Sequence, residues 1–124
     1  MDLVQEHPDF DYVLRGADGT SALVNERKLE RSFIITPRQL VEDWPFAELA
    51  SLDTAAMQTL LALGPEVVII GTGLRQGFPA AEVMAACLQR GIGIEVMAND
   101  AAARTYSVLA SEGRKVAAGF ILPG

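Results

Sequence analysis

Cysteine and histidine each occur once in these 124 residues, as Cys87 and His7. A single cysteine excludes an internal disulfide. One cysteine and one histidine also exclude a zinc site of the usual ligand spacing built from this chain alone. A Ser-His-Asp or Cys-His catalytic pair would have to recruit His7, which precedes Pro8 close to the N-terminus, where side chains are seldom held in place. Cys87 lies in the run Ala85-Ala86-Cys87-Leu88, on what reads as the buried side of a helix, where a thiol acts as a small core hydrophobe. Basic charge is scarce too: ten lysines and arginines stand against sixteen acidic residues, a net charge of −6. Such a surface repels phosphate backbones, so no nucleic-acid partner is expected. The densest basic stretch, Arg27-Lys28-Leu29-Glu30-Arg31, is diluted by Glu26 and Glu30 and reads as a solvated turn between strands. No apolar run reaches the roughly 20 residues that span a bilayer. Residues 1–6 are acidic and show no basic n-region or apolar h-region. A cytoplasmic location without direct membrane insertion is therefore expected.

What is present is apolar. Half of the residues are hydrophobic, enough for the core of one domain spanning 1–124. The pattern divides near residue 50. The first part, about 1–50, is β-rich. Residues 12–15 and 21–24 read as a hairpin around Gly16-Ala17-Asp18-Gly19, with Asp18-Gly19 suited to positive φ. Residues 32–36 form the next strand, and 39–44 extend the β region until Pro45. Residues 49–52 read as an irregular link or a short strand. From about 51 to 124 a helix leads into a βαβαβ order. Asp53 or Ser51 caps that first helix, which runs to about Leu63 and stops at Gly64-Pro65. Residues 67–70 are a continuous apolar strand, which needs cover on both faces, as in a mainly parallel sheet. Pro79 opens the second helix, through about Arg90, and Gly91 ends it. Residues 92–97 are the next strand. Asn99 or Asp100 caps the third helix, which ends near Ser111, and 116–122 are the last strand. The expected fold is α/β: a three-layer single domain with a mixed, largely parallel sheet, helices on it and a packed N-terminal β-hairpin. Strands 67–70, 92–97 and 116–121 are expected as buried neighbours in one sheet.

Polar residues gather at strand ends and helix starts, where α/β sheets meet their ligands. Gly71-Thr72-Gly73 follows a buried strand, as phosphate loops do. The dinucleotide fingerprint wants a glycine three positions after Gly73, where Gln76 stands, and the Walker pattern is absent. The loop reads either as a tight turn in which glycine avoids a neighbouring loop, or as an anion site formed by its amides with Arg75. Glu95 lies in mid-strand between Ile94 and Val96. A carboxylate there needs a partner, and an ion pair is expected, with Arg114 first, Arg75 second and Arg104 as a further candidate. Tyr106 shares a helical face with Ala102 and Leu109, so core packing with a hydrogen-bonded hydroxyl is expected. Glu112-Gly113-Arg114 reads as a helix exit that leaves Arg114 within reach of Glu95.

In their order and spacing, Gly71-Thr72-Gly73, Pro79, Gly91-Ile92, Glu95-Val96-Met97, Thr105-Tyr106, Leu109, Glu112-Gly113-Arg114 and Val116-Ala117-Ala118 resemble the signature of one small domain family. That family is found in bacteria and archaea and includes the mitochondrial complex I assembly factor three. The region from Phe33 to Trp44, with Pro37, is similar as well. The resemblance implies a three-layer α/β fold with a mixed sheet and no established catalytic activity. For the mitochondrial relative it implies a part in assembling the membrane-bound NADH dehydrogenase. Two positions depart from the pattern: Asn99 stands where Thr is usual, and Ser107 where Asn is usual. Both keep hydrogen-bonding capacity. Without a targeting segment, the chain is expected to be a prokaryotic member.

The functional expectation is a non-enzymatic protein-interaction or assembly factor, with no catalytic residues, no metal and no cofactor. The alternative is a small-molecule or anion-binding domain with weak or unknown enzymatic activity. The candidate ligand or partner surface comprises Gly71, Thr72, Gly73, Arg75, Glu95, Asn99, Tyr106 and Arg114. The expected partner is a protein, with weak homo-oligomerisation as a second kind of association.

Overall fold

The computed structural model describes residues 10–124, and His7 lies outside the described residues. The chain runs β1 (Leu14–Ala17), β2 (Ala22–Val24), β3 (Arg27–Leu29), β4 (Arg31–Ile35), β5 (Leu40–Val41), α1 (Thr54–Leu61), β6 (Val67–Gly71), α2 (Ala81–Leu88), β7 (Gly93–Met97), α3 (Asn99–Ser111) and β8 (Val116–Pro123). The first three strands form a small antiparallel sheet, and the other five form a second sheet in the order β5-β4-β8-β6-β7. There β8 and β7 run parallel to β6, while β4 pairs antiparallel with both β8 and β5.

The apolar run Val67-Val68-Ile69-Ile70 is buried along its whole length because β6 lies inside the sheet with cover on both faces. Alternate residues feed two cores. Phe33, Ile35, Val67, Ile69, Ala118 and Phe120 meet Ala102, Tyr106 and Ala110 of α3, together with Leu14, Val24 and Leu29 of the small sheet. Ile34, Val68, Ile70 and Ala117 meet Met57 and Leu60 of α1, Val83 and Cys87 of α2, and Trp44. The result is three layers. The connection through α2 moves outward from β6 to β7, and the connection through α3 returns past β6 to β8. Right-handed crossovers in opposite directions put their helices on opposite faces, as observed here.

Two ring contacts key the central strands. Phe33 and Phe120 stack at 5.3 Å between centroids, worth about 1 kcal/mol beyond the buried area. On the other face Trp44 lies over Gly119, where a Cβ would come within 2.6 Å of the indole. The Trp44 Nε1–H donates to the Ala56 carbonyl at 3.2 Å.

Several local expectations hold. Asp53, rather than Ser51, caps α1, accepting the Ala56 amide at 2.9 Å. The hairpin turn is organised by Asp18, whose Oδ1 accepts the amides of Thr20 at 2.8 Å and Ser21 at 2.9 Å. These bonds hold its carboxyl below the usual carboxylate range. Other expectations need correction. The basic stretch is not a turn: its residues Arg27–Leu29 form β3, with Leu29 buried and paired with Ala22. Exposed Arg27 and Lys28 conceal the strand because charges suit an open sheet edge. The link at Leu49–Ser51 is a 3₁₀ turn rather than a strand. β7 is in the sheet as expected, but it is an edge strand, with Ile94 and Val96 half-buried and Gly93 and Glu95 exposed.

Candidate functional site

The C-terminal ends of β6 and β7 are neighbours, with Gly71 paired to Met97. From there the chain leaves β6 towards α2 on one face and leaves β7 towards α3 on the other. This is a topological switch point, where an α/β sheet ordinarily opens a crevice for a ligand. Here the crevice is closed. The Thr72 amide donates to the Met97 carbonyl at 2.9 Å, and the Asn99 amide donates to the Gly73 carbonyl at 2.8 Å. The Asn99 side chain completes the closure. Its Oδ1 accepts the Gly73 amide at 3.0 Å. Its Nδ2 donates to the carbonyls of Asp18 and Ile121, each at 2.9 Å. Asn99 is fully buried, and all its side-chain bonds cross to other segments.

Asn99 reads in the sequence as a helix cap, and it is not one. Ala98 holds the cap position, and no side chain caps α3. Three tertiary partners outcompete the local bond, because an unpaired buried acceptor or donor costs more than an uncapped helix end open to water. Gly71 lacks a side chain for the same reason. A Cβ there would run into Asn99 Oδ1 and reach 2.7 Å from the Phe120 ring. The tight-turn reading of Gly71-Thr72-Gly73 therefore describes this corner. Thr72 Oγ1 donates to the Arg75 carbonyl at 2.6 Å and shapes the loop that follows.

The other candidates do not join this cluster. Arg114 does not reach Glu95. Its Nε lies 2.6 Å from Glu66 Oε2. The reason is register: Val67 pairs with Val116, so the residues just before β6 and β8 meet at the start of the parallel strands. That is the end opposite Gly71. Arg114 lines a cleft of about 350 Å3 there, with Pro37, Leu63 and Pro65. Glu95 is exposed and makes no ion pair among the described residues. An edge strand explains it: a charge in its middle disfavours unwanted strand pairing. Arg75 is exposed on the loop after Gly73 and has no side-chain partner among the described residues. Tyr106 is buried as expected, at 1% exposure. Its hydroxyl, expected to be hydrogen-bonded, has no partner among the described residues. Burial pushes that hydroxyl's pKa well above its usual value. Cys87 is buried in the α2 core, and desolvation raises its thiol pKa. Among the described residues no His, Cys, Asp and Glu cluster is placed to hold a metal.

Two residues that carry no motif stand out. Leu74 and Phe78, in the loop between β6 and α2, are 74% and 73% exposed. Between them in sequence, the Gln76 Nε2 reaches the Val96 carbonyl of β7 at 3.4 Å. Apolar residues inside a glycine- and proline-rich loop have no periodicity to flag them.

The profile of a family described as "Protein of unknown function (DUF498/DUF598)" matches residues 14–121. The solved NMR structure of the Xanthomonas campestris protein XCC1710 is similar, with 58% sequence identity and a TM-score of 0.85 over 100% of this chain and 94% of that one. A Bordetella pertussis protein solved by solution NMR and described as a Mth938-like domain is 28% identical with a TM-score of 0.77, covering 91% of this chain and 87% of its own. A "13 kDa major membrane protein" of Francisella tularensis subsp. holarctica is 28% identical over 95 residues, 76% of this chain and 77% of that protein. In this chain no helix among the described residues is long and apolar enough to cross a membrane.

Proposed function

The chain belongs to this family of proteins of unknown function, and from that premise we propose that it is a non-enzymatic protein-interaction or assembly factor. It works in the cytoplasm and docks a protein partner through the loop between β6 and α2. The observation that carries this reading is the contrast at the switch point. The crevice that would hold a substrate is filled by Asn99, while Leu74 and Phe78, in the loop that leaves β6 at that corner, are exposed to solvent. Two large apolar side chains exposed in one short loop offer area that a partner can remove from water. A net charge of −6 favours a protein over a nucleic acid. The test places a photo-reactive residue at Leu74, at Phe78 and, as a control, at Ser111. The same partner cross-linked from positions 74 and 78, and not from 111, is the expected result. Equal labelling from all three positions overturns the reading.

One observation favours a second reading, an anion-binding domain. Arg75 has no side-chain partner, and the amides of residues 74–78 donate no hydrogen bond among the described residues. Successive unused amides with a guanidinium can hold a phosphate or carboxylate. A phosphate titration followed at those amides tests it. Saturating shifts that vanish in Arg75→Ala support an anion site, and flat shifts remove it.

A further inference from the structure

The free edge of β7 has a defined set of backbone groups. The Gly93 amide donates to Glu66, and the Met97 carbonyl accepts the Thr72 amide, so both residues face β6. Along a strand, residues facing one neighbour alternate with residues facing away. Gly93, Glu95 and Met97 therefore bond β6, while Ile94 and Val96 turn their amides and carbonyls to the open side. One of those groups is already met: Gln76 Nε2 bonds the Val96 carbonyl at 3.4 Å. A side-chain amide there supplies the kind of hydrogen bond that an added strand's backbone N–H would supply, and the length makes it weak.

Side chains give the edge a chemical preference. Ile94 and Val96 lean into the α1–α2 core, so residues set opposite them extend an apolar surface. Glu95 points to the other face, exposed and without an ion pair among the described residues. A second copy of this chain fits poorly. The two-fold antiparallel register that uses every free group on Ile94 and Val96 sets Glu95 directly against its own copy. Like charges so placed destabilise the pair. A lysine or arginine in that position reverses the sign of the effect.

We propose that the β7 edge is a strand-addition site for an extended segment of a partner protein with the pattern apolar–basic–apolar, its basic residue opposite Glu95. The inference rests on the protein-docking reading above and specifies its mode. Gln76, in the same loop as the exposed Leu74 and Phe78, reaches this edge through its side-chain amide, so the docking loop and the edge are joined at one point. Main-chain hydrogen bonds supply the attachment and the alternating side chains supply selectivity.

The probes are three capped pentapeptides, acetyl-Thr-Val-X-Val-Thr-amide, with lysine, alanine or glutamate at X. They are titrated into the isotope-labelled protein. The lysine peptide is expected to bind roughly tenfold more tightly than the glutamate peptide. Shifts should centre on Ile94–Met97 amides and the Gln76 side-chain amide. Glu95→Lys, at an exposed position, should keep the fold and reverse the order of the peptides. N-methylation of the valines should abolish binding. An order that survives Glu95→Lys overturns the proposal, as do shifts confined to β3, and as does concentration-dependent dimerisation through β7. Cross-links from Leu74 and Phe78 that persist while every peptide fails would discard strand addition and keep the docking loop. Loss of those cross-links with peptide binding intact would discard the loop as anchor and keep the edge.

Discussion

Replacing Asn99 with alanine should cost about 3.5 kcal/mol of stability, summed over the bonds it breaks. The substitution orphans the Ile121 carbonyl, which sits in a fully buried bond. An unsatisfied buried acceptor costs roughly 1–3 kcal/mol. The bonds to Gly73 and Asp18 are part-buried, so water recovers some of each, and about 1 kcal/mol apiece is a fair figure. Alanine returns about 0.5 kcal/mol as a better helix residue in the first turn of α3. For a chain of this length a loss of that size lowers Tm by roughly 10 °C. Urea unfolding followed by Trp44 fluorescence gives the stability, and hydrogen exchange at the Gly73 amide gives the local effect. The midpoint should fall with an unchanged m-value, and Gly73 should exchange faster than the strand interiors. A loss under 1 kcal/mol, or an unprotected Gly73 amide in the parent protein, would refute the idea that Asn99 locks the switch point.

Three further outcomes follow from the packing. Tyr106→Phe should be neutral or stabilising by up to about 1 kcal/mol, since the hydroxyl it removes is buried without a partner. The folded pKa of Tyr106 is raised, so its contribution is intact below the unfolded value near 10 and is lost as pH climbs above it. The phenylalanine variant should therefore show less alkaline destabilisation, measured as Tm from pH 8 to 11. Gly119→Ala should destabilise by about 1–3 kcal/mol and shift Trp44 emission, because its Cβ would approach the indole within 2.6 Å. Cys87, fully buried and with a raised thiol pKa, should resist iodoacetamide at pH 8 until urea opens the fold. Native reactivity like that of a free thiol would place α2 wrongly.

The layered architecture is readable in the chain because its signals are periodic. The apolar run of β6, the stops around α1 and α2, and the small-residue face of α3 all follow local rules. What escapes is set by distance in space. Asn99 obeys the local description of a helix cap, but its partners lie 81, 26 and 22 residues away. Arg114 finds Glu66 rather than Glu95 because the register of two parallel strands decides it, and no short motif carries register. β7 looks like a buried strand because Ile94 and Val96 are apolar. Only the strand order shows that one of its sides is open, which turns Glu95 from a charge seeking a partner into an edge device. β3 is missed for the related reason that two of its three residues are charged. The loop after β6 is marked in the sequence by Gly71-Thr72-Gly73 and Arg75, but the exposure of its apolar residues Leu74 and Phe78 follows no periodicity.

The most direct test of the docking account is quantitative co-purification from cells expressing either the parent chain or the double variant Leu74→Asp, Phe78→Asp at matched levels. Both positions are largely exposed, so circular dichroism and Tm should be unchanged. The account predicts a discrete protein that co-purifies with the parent at stable stoichiometry and is depleted at least tenfold from the variant. Retention of every co-purifying protein by a well-folded variant would contradict it.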